Sequence, residues 1–162
     1  MTVQKRLILI FVTALVLFAC GCAKPKTEEQ ARARLEGYAH AIDYDYKDPK
    51  KIYPYLCREV RDQLTEEQFV NCWKKERTYP YLTPLYIYDP KIEMASDGLS
   101  GKATFIQAAR IDGMKYTVDF VYEDGDYYVC DWYDFADGSY LEKFDHVVQS
   151  IDWYFDPDKI DY

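Results

Sequence analysis

Met114-Lys115-Tyr116-Thr117-Val118-Asp119-Phe120-Val121-Tyr122-Glu123 is the stretch that decides the fold of this chain. Met114, Tyr116, Val118, Phe120 and Tyr122 alternate with Lys115, Thr117, Asp119, Val121 and Glu123. A period of two puts alternate side chains on opposite faces of a strand, so this segment reads as a strand with one buried face. Turn signals flank it. Asp112-Gly113 is a two-residue hairpin turn on one side, and Asp124-Gly125-Asp126 marks a turn on the other.

Neighbouring strands follow on each side, at Lys102–Ile111 before and Tyr127–Asp134 after. In the latter, Tyr128, Cys130 and Trp132 are read as the core face, with Tyr127 and Tyr133 opposite. A looser turn at Asp97-Gly98 with Gly101 leads back to a first strand at Pro84–Met94. Pro90 cannot donate to a strand ladder, so it predicts a bulge or an edge position there.

Upstream of residue 82 the period is helical. Thr27-Glu28-Glu29-Gln30 has the form of a capping box, with acidic residues where the helix dipole favours them. Ala31, Leu35, Tyr38, Ile42 and Tyr46 follow at helical spacing, predicting one long helix to about residue 45. Asp48-Pro49 restarts a helix with Ile52, Tyr53, Leu56 and Val60 on its apolar side, kinked or shortened by Pro54. Thr65-Glu66-Glu67-Gln68 is a second capping box, opening a helix that buries Phe69, Cys72 and Trp73 until Tyr79-Pro80 stops it. Ser139-x-x-Glu142 has the same form, predicting a helix from Tyr140 to about Ile151 and an aromatic tail ending at Asp156-Pro157. Helices first and strands after predict an α+β domain: N-terminal helices packed on a curved antiparallel sheet of about four strands, with an added C-terminal helix.

The N-terminus carries a different message. Lys5 and Arg6 precede an apolar run from Leu7 to Ala19. At about 1.5 Å per helical residue it spans roughly 20 Å, short of the ~30 Å hydrocarbon core, so it reads as a leader and not as a permanent span. The run ends in Leu17-Phe18-Ala19-Cys20, which resembles the lipobox of bacterial lipoproteins, with Phe18 bulkier than usual at its position. The resemblance implies a signal peptide over 1–19, lipid attachment at Cys20 with Cys22 as the alternative acceptor, and a tether over 20–26. It implies a location at the cell membrane, lipid-anchored on the extracytoplasmic face, the lipid itself being the link to the membrane. Losing Lys5 and Arg6 with the leader leaves 18 basic against 28 acidic residues. Such a balance repels nucleic acid, and no nucleic-acid partner is expected.

Residues 27–135 form one domain on this reading, and 136–162 a C-terminal helix and tail. The helix at Thr27–Tyr46, the opening Thr65-Glu66-Glu67-Gln68-Phe69, and the closing Asp124-Gly125-Asp126-Tyr127-Tyr128-Val129-Cys130-Asp131-Trp132 together resemble the nuclear-transport-factor-two-like (cystatin-like) fold. More narrowly, the arrangement is similar to the N-terminal domain of some penicillin-binding transpeptidases, over about residues 27–134. It implies a sheet wrapped around the first helix. With no Ser-x-x-Lys motif present, it implies no penicillin-binding activity.

Chemistry is sparse in the sequence. An isomerase- or dehydratase-type pocket, known in that fold family, needs a carboxylate base near a phenol donor. Asp119 and Asp131 are the candidate carboxylates, and Tyr116 and Tyr128 the candidate donors. Asp119, however, lies on the polar side of its strand, away from the tyrosines. His40 and His146 are the only histidines; His146 reads as solvated, and His40 as a partly exposed helical residue with a base in a dehydratase-like site as its alternative. Cys57 and Cys72 are either a disulfide between sequential helices or, with Cys130, buried thiols. The clusters Asp43/Asp45/Asp48 and Asp156/Asp158/Asp161 lack the calcium-loop spacing and read as caps and turns. No metal or cofactor is implied. The excess of tyrosine, 17 in 162 residues, exceeds what a core needs. Tyr79, Tyr81, Tyr86 and Tyr88 cluster where helices meet sheet, and are the candidate binding aromatics. The expected function is a non-enzymatic binding or interaction module at the cell envelope, recognising an envelope protein or glycan. The alternatives are a small pocket enzyme and a structural accessory subunit of an envelope complex.

Overall fold

The computed structural model describes residues 26–78, 84, 86–108 and 113–142. Cys20, Cys22, Tyr79, Tyr81, His146, the second acidic cluster and the helix expected beyond residue 142 lie outside the described residues.

The chain is α+β, with helices first and then a four-stranded antiparallel sheet in the order β1-β2-β3-β4. Helix α1 spans Glu28–Tyr44 and buries Ala31, Leu35, Tyr38, Ala39, Ala41 and Ile42. Thr27 accepts from the Gln30 amide at 3.2 Å, which is half of a capping box. The other half is absent, because the Gln30 side chain reaches across to Gly125 O (2.9 Å) and Asp126 (3.2 Å), fastening the helix to a turn of the sheet.

The expected second helix is broken into two single 3-10 turns, Pro49–Lys51 and Tyr53–Tyr55, followed by α2 at Arg58–Gln63. Pro54 is the cause, since it has no N–H to give and its ring crowds the preceding turn. Helix α3, Glu66–Glu76, starts from a complete Thr65/Gln68 capping box and buries Phe69, Val70 and Trp73. Cys72 is only half buried.

The strands are β1 Ile87–Met94, β2 Ser100–Gln107, β3 Lys115–Glu123 and β4 Asp126–Cys130. In β3, Tyr116, Val118 and Phe120 are buried while Lys115, Thr117 and Asp119 are exposed, as the alternation predicts. Pro90 occupies both places expected of it. β1 is an edge strand, and its register with β2 shifts between Tyr88 and Lys91.

In β4 the expected faces are reversed. Tyr127 and Val129 are buried, whereas Tyr128 and Cys130 are half exposed. Cross-strand pairing sets this, because Val129 lies opposite buried Phe120 and Tyr127 opposite Tyr122. The strand also ends earlier than expected. At Trp132 the backbone turns left-handed (φ 72°), and a short helix α4, Tyr133–Asp137, follows. That turn swings the indole into the core although Trp132 is off the strand. Ser139 starts a 3-10 turn, Ser139–Leu141, and bonds back to Asp137 instead of capping a helix.

The core is dominated by rings. Trp132 contacts Phe69, Trp73 and Phe135, and Phe120 and Tyr127 meet edge to face. Outside the core, Arg34 lies over the rings of Tyr55 and Tyr128, and Arg61 also lies over Tyr128. Arg34 further donates to Tyr127 O and Pro54 O. Tyr55 and Tyr128 are thus spent on guanidinium stacking, each contact worth about 0.5–1 kcal/mol at such half-exposed positions. Among the described residues, no helix is long and apolar enough to cross a membrane.

Candidate functional site

A groove of about 550 Å³ runs between the second half of α1 and the start of edge strand β1. Helical spacing builds one wall: Glu36, Ala39, His40, Asp43 and Tyr44 fall on a single stripe of α1. The other wall is Tyr86 to Pro90, with Ala108 at the end of β2. Asp43 joins the two, accepting the Ile87 amide at 2.9 Å, and Tyr86 O accepts from the Ala108 amide.

Three rings face this groove and remain open to solvent: Tyr44 (61% exposed), Tyr86 (45%) and Tyr88 (49%). Tyr44 meets Tyr86 edge to face at 5.7 Å and packs on His40 at 4.8 Å. Tyr86 (φ 46°) and Asp89 (φ 49°) are both non-glycine residues in left-handed backbone. Such conformations cost about 1–2 kcal/mol each and persist where the surroundings hold them. Burial pushes the Asp43 carboxyl above its ordinary value, partly offset by the Ile87 hydrogen bond. Among the described residues, the lining side chains include Glu36, Asp43 and Asp89 but no lysine or arginine. Flat rings beside carboxylates suit a ligand with apolar faces and hydroxyl or amino donors, and disfavour an anion.

Of the aromatics singled out from sequence, Tyr86 and Tyr88 come together here. Tyr44, His40, Asp43 and Glu36 were missed as partners. The available signal was their i, i+4, i+7, i+8 spacing on the polar side of a helix whose other side is core. His40 is an exposed helical residue, as read, and it stands at the groove with Asp45 at 3.9 Å. In the first acidic cluster Asp43 holds an amide and Asp45 pairs with Lys51 at 2.7 Å, which are cap and turn roles.

A second polar cluster lies inside the domain. The Tyr116 hydroxyl donates to Asp131 Oδ2, the hydroxyls of Tyr116 and Tyr38 are hydrogen-bonded at 2.9 Å, and Trp132 Nε1 donates to Tyr38 at 3.0 Å. Asp131 Oδ1 accepts the Trp132 amide at 2.8 Å. Burial, and after it the nearby charge of Asp131, pushes the Tyr38 phenol well above its ordinary value. Tyr116 is raised likewise, by burial first. Both hydroxyls therefore stay protonated. The reversal of β4 explains the pairing, because Asp131 follows the face of Tyr127 and Val129, toward Tyr116. Asp119 instead sits on the outer face beside Lys102 at 3.4 Å, and Tyr128 is occupied by the arginines.

Cys57 and Cys72 are not brought together. Both are free thiols, as is Cys130. Cys72 turns toward Phe135 O (3.8 Å) and Tyr140, because α3 packs on α4. Cys57 faces Cys130. Among the described residues, no three His, Cys, Asp or Glu side chains converge as a metal site.

No protein-family model matches the chain, and no curated protein matches it either.

Proposed function

We propose that this chain is a lipid-anchored, extracytoplasmic binding module of nuclear-transport-factor-two-like type, which holds an envelope glycan in the groove between α1 and β1. The observation that carries the reading is the set of three solvent-open tyrosines at the groove, with Asp43 and Glu36 beside them. Tyrosine rings stack on the C–H face of a sugar, and carboxylates accept from its hydroxyls.

Titration of a soluble 27–162 fragment with cell-wall oligosaccharides tests it. Tyr86→Ala and Tyr88→Ala are each expected to weaken binding about tenfold, corresponding to roughly 1.4 kcal/mol per ring. Binding should also fall on acidification once Asp43 protonates, at a pH above the ordinary aspartate range. The stability trend from the same group runs the other way. A folded-state carboxyl pKa above its unfolded value means that the folded chain keeps the proton longer, so this contribution declines as pH rises between the two values. Unaltered binding by both tyrosine variants, or capture of a protein and no glycan, would remove the glycan reading. The Asp131–Tyr116 pair is what a pocket isomerase or dehydratase would require. Chemical change of a bound ligand in the same titrations would move the protein to that class.

The address has its own check. The mature N-terminal peptide is expected to begin at Cys20 and carry a diacylglyceryl thioether by mass spectrometry. An intact precursor in the cytosol would cancel the anchor.

A further inference from the structure

We propose that Cys57 and Cys130 are an oxidisable pair that closes into a disulfide, joining the start of α2 to the end of β4. Leu56 and Val129 form a parallel bridge, and the Cys57 amide donates to Val129 O at 2.8 Å. Cys57 is still extended (φ −68°, ψ 161°), so the pairing runs one residue further and sets Cys57 beside Cys130. Adjacent strands lie about 4.8 Å apart, within the ~4.4–6.8 Å Cα separation that disulfides use. Facing residues of a parallel pair project to the same side. Leu56 and Val129 are both buried in the core, which places both thiols together on the other side.

There the two thiols act on each other and on Tyr133, whose hydroxyl donates to Glu59 at 3.1 Å. The hydrogen bond from Cys130 lowers the Cys57 thiol to about 7, and the same bond raises Cys130. Cys57 is fully buried while Cys130 is half exposed, so Cys130 is the sulfur an external reagent reaches. The pair goes beyond the groove and does not depend on the ligand proposed for it.

The oxidant is an external disulfide, either small or carried by an oxidoreductase. Cys130 sulfur attacks it as the Cys130 proton passes to the Cys57 thiolate, and one external thiolate leaves. Cys57 sulfur then attacks Cys130 Sγ, its proton going to the second departing thiolate. One S–S bond forms and one breaks; the Cys57 thiolate and the Cys130 thiol are oxidised, and the external disulfide is reduced to one thiolate and one thiol.

The test uses the full chain in detergent, equilibrated with excess oxidised glutathione, then alkylated under denaturing conditions and digested. The expected map contains a reductant-sensitive peptide linking Cys57 to Cys130, with Cys72 alkylated. Because the bridge closes a loop of roughly 70 residues, reduction should lower Tm by on the order of 10 °C. Cys130→Ser should melt at one temperature with or without reductant. Alkylation of both Cys57 and Cys130, or a link from either to Cys72, Cys20 or Cys22, would overturn the proposal. The peptide map needs no variant, so it decides the matter even where Cys130→Ser does not fold.

Discussion

Trp132→Ala is expected to lose about 4 kcal/mol of stability and to melt roughly 10–20 °C below the parent. Three terms add. The indole is 3% exposed and packs on Trp73 (5.2 Å), Phe135 (4.9 Å) and Phe69 (6.0 Å), so its removal leaves a cavity bounded by rings from α3 and α4. Its Nε1 donates to Tyr38, and truncation takes one partner from a buried hydroxyl. Its backbone is left-handed, a cost the alanine keeps after the compensating contacts have gone. Trp132→Gly should therefore be less damaging than the alanine by about 1 kcal/mol, despite the smaller side chain. Against a total stability of about 5–15 kcal/mol, either variant leaves a substantial unfolded fraction near 37 °C. Chemical denaturation followed by tryptophan fluorescence measures both. Alanine and glycine variants within 1 kcal/mol of the parent would mean that the cluster is not the centre of the core.

Gly101→Ala is the second large effect, about 2–4 kcal/mol destabilising, although it adds a single methyl. Gly101 lies in β2 opposite Phe120, and a Cβ there would stand 2.4 Å from Phe120 Cζ and 2.6 Å from the Glu93 carbonyl. The ring can rotate away, but the carbonyl belongs to β1, so the strand itself must move. Gly125→Ala makes the useful contrast. Nothing lies within 4 Å of its added carbon, and the cost there is the left-handed backbone alone (φ 89°), about 1–2 kcal/mol. Thermal melts of the two variants should rank Gly101→Ala lower. The reverse order would show that β1 and β2 are free to part.

The sequence reading succeeded where chemistry alternates visibly. The polar and apolar residues of β3 could be sorted by eye, and Pro90 announced an irregular edge because a missing N–H has few tolerable places. It failed in β4 because Tyr127-Tyr128-Val129-Cys130 offers four apolar residues in a row. Period alone cannot choose a face in such a run, and the register against Phe120 and Tyr122 does. The mistaken face also separated Asp131 from Tyr116 on paper. Pro54 is legible as disruptive, and it divides the segment further than a kink would. As for the groove, clustering of tyrosines pointed to Tyr86 and Tyr88. Glu36, His40, Asp43 and Tyr44 stayed hidden because nothing in a helical polar stripe tells which strand will dock beside it. Only the packing of α1 against β1 creates that site.

The two margins of the sheet have a consequence for crowding. Along β1, Pro90 offers no amide and its carbonyl is taken by Arg32 at 2.9 Å, while the bulge breaks the regular row of donors. Along β4, Leu56 and Cys57 already occupy part of the ladder. On the lipid anchor proposed above, copies would meet one another often in two dimensions, and an uninterrupted strand margin would let them polymerise edge to edge. Both margins here are spoiled for that purpose by the chain's own residues, which leaves the open tyrosines free to be sticky toward something else.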